Sequence, residues 1–292
     1  MRFFDLLPHD RDAWETSRFR LPWGAMVGVA IRSTAIALAS VLPLALPTWV
    51  GIPLSIALAV LVIRASLMLD HPEPALRQVR WERLRLHRPR GNMGQWLLAT
   101  AVCIIGMFAS SMATMCFADT SIQDPGFFEK LLPQRDGALL LTIVVGLLTP
   151  FIEEFVFRGW SYPMLSGAGG KKFAFILSSS IWALLHLNLA RYPDLMLSAA
   201  AYHLALAATG SLWSCVALHV VNNSSAIILG HLFRDAEGEP PSSLTAFFVY
   251  LGVTAICGVV FVWLMRRIAK TKKAGDSTDG TPTPVELAAS PQ

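Results

Sequence analysis

The sequence predicts an all-α polytopic membrane protein with about eight transmembrane helices around a conical or bundle-like core. Three observations carry this. First, 54% of the 292 residues are hydrophobic and only 15% are charged, whereas soluble proteins carry about 25% charged residues. Second, the charge is missing from several stretches of about 20 residues, the length that crosses a hydrocarbon core about 30 Å thick. Third, the basic residues gather on alternate sides of those stretches. Together these features exclude an ordinary soluble enzyme, a disordered chain and a coiled coil. The net charge of +4 does not point to nucleic acid, because the basic residues sit between apolar spans, where anionic lipid headgroups are their natural partners.

Eight spans follow in order. The first two run from about Gly24 to Leu46 and from about Trp49 to Leu69, and the polar insert Asp70–Asn92 follows with six arginines, including the stretch WERLRLHRPR. The third runs from about Gln95 to Phe117 and leads into a mixed loop, Ala118–Gly137. The fourth begins at Ala138, carries charge in its second half and ends near Leu165; after the turn GAGGKK a fifth runs from Phe173 to about Leu189. A short sixth covers about Leu195–Ala208, the seventh Ser211–Phe233 and the eighth Leu244–Met265. The tail beyond them, rich in Thr, Pro, Gly and Ser, reads as disordered. The chain thus divides into a tail, two helices and basic insert (1–93), a membrane core (94–270) and a terminal tail (271–292). The first 23 residues mix charge with Phe and Trp and hold no apolar signal-peptide core, so the first span is expected to serve as the insertion signal. Cys103, Cys116, Cys215 and Cys257 lie in or beside apolar runs without C-x-x-C spacing, as buried hydrophobes do.

Orientation follows from counting. With the N-terminus in the cytoplasm, eighteen of the 24 Lys and Arg fall on the cytoplasmic side, against Lys130, Arg135, Arg191 and Arg234 opposite; Arg32 and Arg64 lie within spans. The positive-inside rule therefore places both termini in the cytoplasm.

The fourth span reads LLTPFIEEFVFRGW. Each of Glu153, Glu154 and Arg158 costs at least about 2.5–3.5 kcal/mol at mid-membrane on insertion scales, so such residues mark sites or pathways. Glu154 and Arg158 are four apart and share a helical face, while Glu153 points about 100° away. One carboxylate is thereby paired and the other is left for chemistry. Trp182 and His186 in the fifth span, and His219 and Asn223 in the seventh, are also four apart and share faces. His203 and His231 lack such companions and are expected to be structural. A carboxylate and an imidazole around a water form a general-base pair for hydrolysis. A second histidine and an amide suit a developing oxyanion. Glu153, His186 and His219 could alternatively ligate zinc, although H-E-x-x-H is absent, as are G-x-S-x-G and an intramembrane aspartate pair.

The patterns E-E-x-x-x-R, F-x-x-x-H and H-x-x-x-N, in this order on three membrane segments, resemble those of the CAAX protease and bacteriocin-processing family, also called the Abi or type II CAAX prenyl endopeptidase family. Here they are Glu153 to Arg158, Trp182 to His186, and His219 to Asn223. The lead-in TGSLW and the stretch LRLHRPR match as well, and the resemblance covers about Leu139–Phe233. Trp182 departs from it, since the family usually has Phe there. The resemblance implies an intramembrane endopeptidase cutting near the cytoplasmic face. It implies that Glu153 and His186 activate water, that His219 and Asn223 form the oxyanion site, and that Glu154 and Arg158 brace the helix. The expected cofactor is none, with zinc not favoured. The expected partners are lipids and a peptide or membrane-protein substrate, and the expected location is a bacterial inner membrane. The alternatives are a non-proteolytic immunity or scaffolding protein on the same fold, or a transporter with a Glu/His relay. The transporter is disfavoured by the lack of an inverted repeat.

A single cysteine placed at position 130, in a chain cleared of its four native ones, is expected to react with an impermeant maleimide only from outside. Labelling only from the cytoplasm would invert the topology.

Overall fold

The computed structural model describes residues 22–70, 84–89, 92–116, 137–232 and 243–276, and every regular element among them is helical. The elements are α1 (Pro22–Val41), α2 (Thr48–Asp70), α3 (Met93–Met115), α4 (Gly137–Leu141), the π-helical turn π1 (Thr142–Leu148), α5 (Thr149–Glu154), a second π turn π2 (Phe155–Ser161), α6 (Tyr162–Leu184), α7 (Tyr192–Thr209), α8 (Leu212–Leu232) and α9 (Leu244–Asp276). The N-terminal tail, the loop after the third span and most of both the basic insert and the C-terminal tail lie outside the described residues.

Among the described residues, four segments are long and apolar enough to cross a membrane: Met93–Met115, Leu139–Leu184, Leu212–Leu229 and Leu244–Lys270. α1 and α2 contribute shorter apolar stretches, Val27–Ala39 and Trp49–Ala65. The 46 residues of Leu139–Leu184 would extend roughly 69 Å as one straight helix, over twice a hydrocarbon core. They bend instead at Gly170, whose φ of 81° and ψ of 167° are non-helical. The fold-back brings Glu153 and Trp182, 29 positions apart, into hydrogen-bond contact; an unbroken helix would hold them about 43 Å apart.

The sixth segment is not a lipid-facing span. α7 is the central helix, packed by α3, α6, α8 and α9, with Ala199, Tyr202, Ala205 and Ala208 buried. Its alanines let neighbouring backbones approach closely. α9 lies outermost, against α3 and α7, and exposes Ile256, Val259 and Trp263, the apolar surface that lipid requires. Two sequence assignments need correction. Arg158, counted with the cytoplasmic turn, is 1% exposed and paired with Glu154; without it the count is seventeen against four. The terminal tail does not begin at residue 271, because α9 runs on to Asp276.

The first π turn, π1, has a local cause. Pro150 lacks an N–H, so it cannot donate to the carbonyl of Gly146, four back, or of Val145, five back. The Thr149 N–H has already moved to Val144, five back, which is the π pattern. α8 supplies the missing donors: Asn223 Nδ2 donates to the Val145 carbonyl at 3.2 Å and Ser224 Oγ to that of Gly146 at 3.2 Å.

The stretch LRLHRPR and the lead-in TGSLW bind one another through residues 124 and 127 positions apart in sequence. The Leu212 N–H donates to the Arg85 carbonyl at 3.0 Å, Trp213 Nε1 to that of Leu86 at 2.9 Å, and Ser211 Oγ to that of His87. The first of these satisfies a backbone N–H at the start of α8 that has no partner within the helix. Leu84 is buried with Phe155 and Leu212, so the insert is anchored on the elements that carry the acidic pair and His219.

Gly170 sits where only glycine is comfortable. Gly170→Ala is therefore expected to cost about 1–3 kcal/mol in thermal unfolding of the detergent-solubilised protein. At Gly252, by contrast, an added Cβ meets nothing within 4 Å, and Gly252→Ala is expected to stabilise α9 by about 0.5–1 kcal/mol. Equal behaviour of the two variants would remove the bend at Gly170 as a constraint on the fold.

Candidate active site

Glu153 and Glu154 end α5, and both are buried. Adjacent positions on a helix diverge by about 100°, so each carboxylate meets a different set of neighbours. One Glu154 oxygen, Oε1, accepts both Arg158 Nη1 at 3.0 Å and His219 Nδ1 at 2.8 Å. All three side chains are at most 1% exposed. Charge buried this deeply costs several kcal/mol per ion unless paired, and the pairing is supplemented by aromatic faces. The Arg158 guanidinium lies 4.9 Å from the Trp182 ring centroid and 5.3 Å from that of Tyr202. Tyr202 also stacks on the His219 ring, with centroids 4.6 Å apart and planes 21° apart.

Glu153 is bound differently. Its Oε2 accepts the Trp182 indole N–H at 2.6 Å and lies 3.8 Å from His219 Nε2. Its side chain keeps 11% of its accessible surface, whereas that of Glu154 keeps none. Of the two acids, Glu153 is therefore the one a small molecule can reach.

His186 stands two residues beyond the end of α6, on the protein surface. Its Nδ1–H donates to the Trp182 carbonyl at 3.0 Å, which in the neutral ring leaves Nε2 as an acceptor. Leu187 follows with φ 53°, and Asn188 caps the next turn by accepting the Arg191 N–H. Trp182 lies between the two imidazoles, its centroid 4.8 Å from that of His186 and 5.6 Å from that of His219.

Glu153, Glu154, Arg158, Trp182 and His219 thus form one contiguous cluster, with His186 joined to it through Trp182. Asn223, one turn along α8 from His219, is tied by one amide hydrogen to the Val145 carbonyl, and its Oδ1 lies 3.4 Å from Asn222 Nδ2. Among the described residues, no three His, Cys, Asp or Glu side chains gather closely enough to hold a metal ion.

Two contributors escaped the sequence reading. Tyr202 carried no motif; its only signal was a large ring in the small-residue stretch SAAAYHLALAA. Trp182 shares a helical face with His186 in the sequence, and its donor function appears only when Glu153 is brought opposite. His203 packs edge-on against Tyr162 and Phe175 and donates Nδ1–H to the Ala199 carbonyl at 2.9 Å. The side chain of His231 lies outside the described residues. All four cysteines are free, with Cys103 and Cys215 buried and the other two partly so.

No curated protein and no solved structure matches the chain. A family model described as type II CAAX prenyl endopeptidase Rce1-like matches residues 135–225. Every side chain of the cluster falls inside that range. The stretch that builds this site therefore matches a protease family, the Rce1-like type II CAAX prenyl endopeptidases.

Proposed function

We propose that this protein is an intramembrane endopeptidase that hydrolyses a peptide bond near the cytoplasmic face, with Glu153 and His186 as the base pair and His219 and Asn223 as the oxyanion site. The observation that carries this reading is the accessible Glu153 carboxylate, held by Trp182 beside His219 in a stretch that matches a protease family. In the reaction a water loses a proton to Glu153 or to His186 Nε2 as its oxygen bonds to the scissile carbonyl carbon. The oxyanion takes hydrogen bonds from His219 Nε2 and from the second amide hydrogen of Asn223. Because His219 Nδ1 donates to Glu154, donation from Nε2 requires a hydrogen on both ring nitrogens. The stored proton then passes to the leaving nitrogen as the C–N bond breaks.

We favour a mechanism without metal. Zinc takes three protein ligands at about 2.0–2.3 Å, whereas Glu153, His186 and His219 do not gather as such a set, and Glu153 Oε2 already accepts an indole hydrogen. The same reading includes eight spans, both termini in the cytoplasm, a bacterial inner membrane, and lipids with a peptide or membrane-protein substrate as partners. It includes no nucleic acid.

Comparison of membrane proteomes from wild-type and Glu153→Gln cells tests the activity. A precursor is expected to accumulate in the variant, whose fold stays intact; an unchanged proteome would leave a non-proteolytic role. Glu154→Gln is expected to act through stability instead. It leaves Arg158 buried without a charged partner, a loss of about 3–5 kcal/mol, read as a lowered melting temperature. A Glu154→Gln protein that melts like wild type would contradict the division of roles.

Asn223→Ala is expected to lower turnover about 10²–10³-fold and to cost about 1–3 kcal/mol of stability, because the Val145 carbonyl loses its donor. The purified protein is expected to lack stoichiometric zinc. Elemental analysis finding one zinc per chain, released by His219→Ala, would overturn the metal-free mechanism and leave the protease reading standing.

A further inference from the structure

We propose that Trp182 is a positioning residue for Glu153: its indole N–H clamps Oε2 so that Oε1 faces the water to be activated. This inference rests on the proteolytic reading above. The resembled pattern usually places Phe here, which fills an aromatic wall but has no hydrogen to give; Trp adds one donor and no acceptor. The indole N–H meets Glu153 Oε2 at 2.6 Å, and among the described residues no hydrogen bond engages Oε1. The terminal torsion of a glutamate is broad and roughly two-fold, so an unclamped carboxylate samples many planes. One hydrogen bond on one oxygen removes that freedom and differentiates the two oxygens.

The clamp is itself immobilised. Trp182 is 1% exposed, and it packs edge-on against Tyr202 as well as against both histidines. Arg158 over its face draws π density toward the cation and makes the N–H a stronger donor. The same residue also holds His186, whose Nδ1–H donates to the Trp182 backbone carbonyl. Trp182 therefore sets the carboxylate by its side chain and an imidazole by its main chain, and only the first contact is lost in Trp182→Phe.

Two readouts on the full chain in detergent test this. In the first, the nine tryptophans are labelled with ¹⁵N at the indole, and the Trp182 signal is identified by its absence in Trp182→Phe. Glu153→Gln is expected to move that signal upfield by more than any of the other eight, because a charged acceptor becomes a neutral amide. No movement would show that the clamp does not exist, whatever the activity. In the second, the probes are internally quenched peptides ending in Cys-aliphatic-aliphatic-Met, farnesylated and unmodified. On whichever peptide wild type cleaves, Trp182→Phe is expected to lower kcat about tenfold to a hundredfold, the value of a hydrogen bond to a charged group. KM is expected to stay within about twofold, since the hydrogen bond that is lost holds Glu153 and does not touch the substrate. Wild-type kcat in a folded Trp182→Phe protein, with Glu153→Gln inactive, would overturn the positioning role and leave the protease reading intact. Cleavage of neither peptide by wild type would count against both.

Discussion

A single carboxylate oxygen, Oε1 of Glu154, accepts hydrogen bonds from Arg158 and from His219 inside a region from which water is nearly excluded. The other site contacts depend on it. It neutralises a guanidinium that would otherwise be buried at severe cost, and that guanidinium lies over Trp182 and Tyr202. It also holds His219 by Nδ1 and leaves Nε2 on the Glu153 side, 3.8 Å from Oε2. The acid that does no chemistry in the proposed reaction therefore sets the geometry of the acid that does.

The backbone around the pair is deformed by one residue. Pro150 withholds a hydrogen, the helix widens into a π turn, and two carbonyls turn to α8 for donors. One amide hydrogen of Asn223 ties α8 to the deformed turn, and in the proposed reaction the other serves the oxyanion. The acidic pair and the His219 helix are held at a common register by bonds that a regular helix would have satisfied internally. At the start of α8, the basic insert anchors the same helix through three of its backbone carbonyls.

Much of the site was legible because helical spacing converts directly into shared faces. Glu154 and Arg158, four apart, meet at 3.0 Å along one helix, and no tertiary information was needed to foresee it. The all-helical class followed in the same way from composition. Other features were illegible because they pair residues from distant positions. Tyr202 belongs to no motif, and its place on His219 depends on α7 being central rather than lipid-facing.

The sequence by itself determined the helical class, the four-residue pairings and the families of chemistry open to two acids, two histidines and an amide, since these depend on hydropathy and on 3.6 residues per turn. Only the tertiary structure decided that His219 joins Arg158 on Glu154, that Glu153 stays reachable, and that Trp182 donates to Glu153. Those facts depend on the bend at Gly170, which brings together side chains 29 positions apart. A glycine in a turn of small residues signals that a chain can bend, but the direction and depth of the bend are set by the packing that it closes.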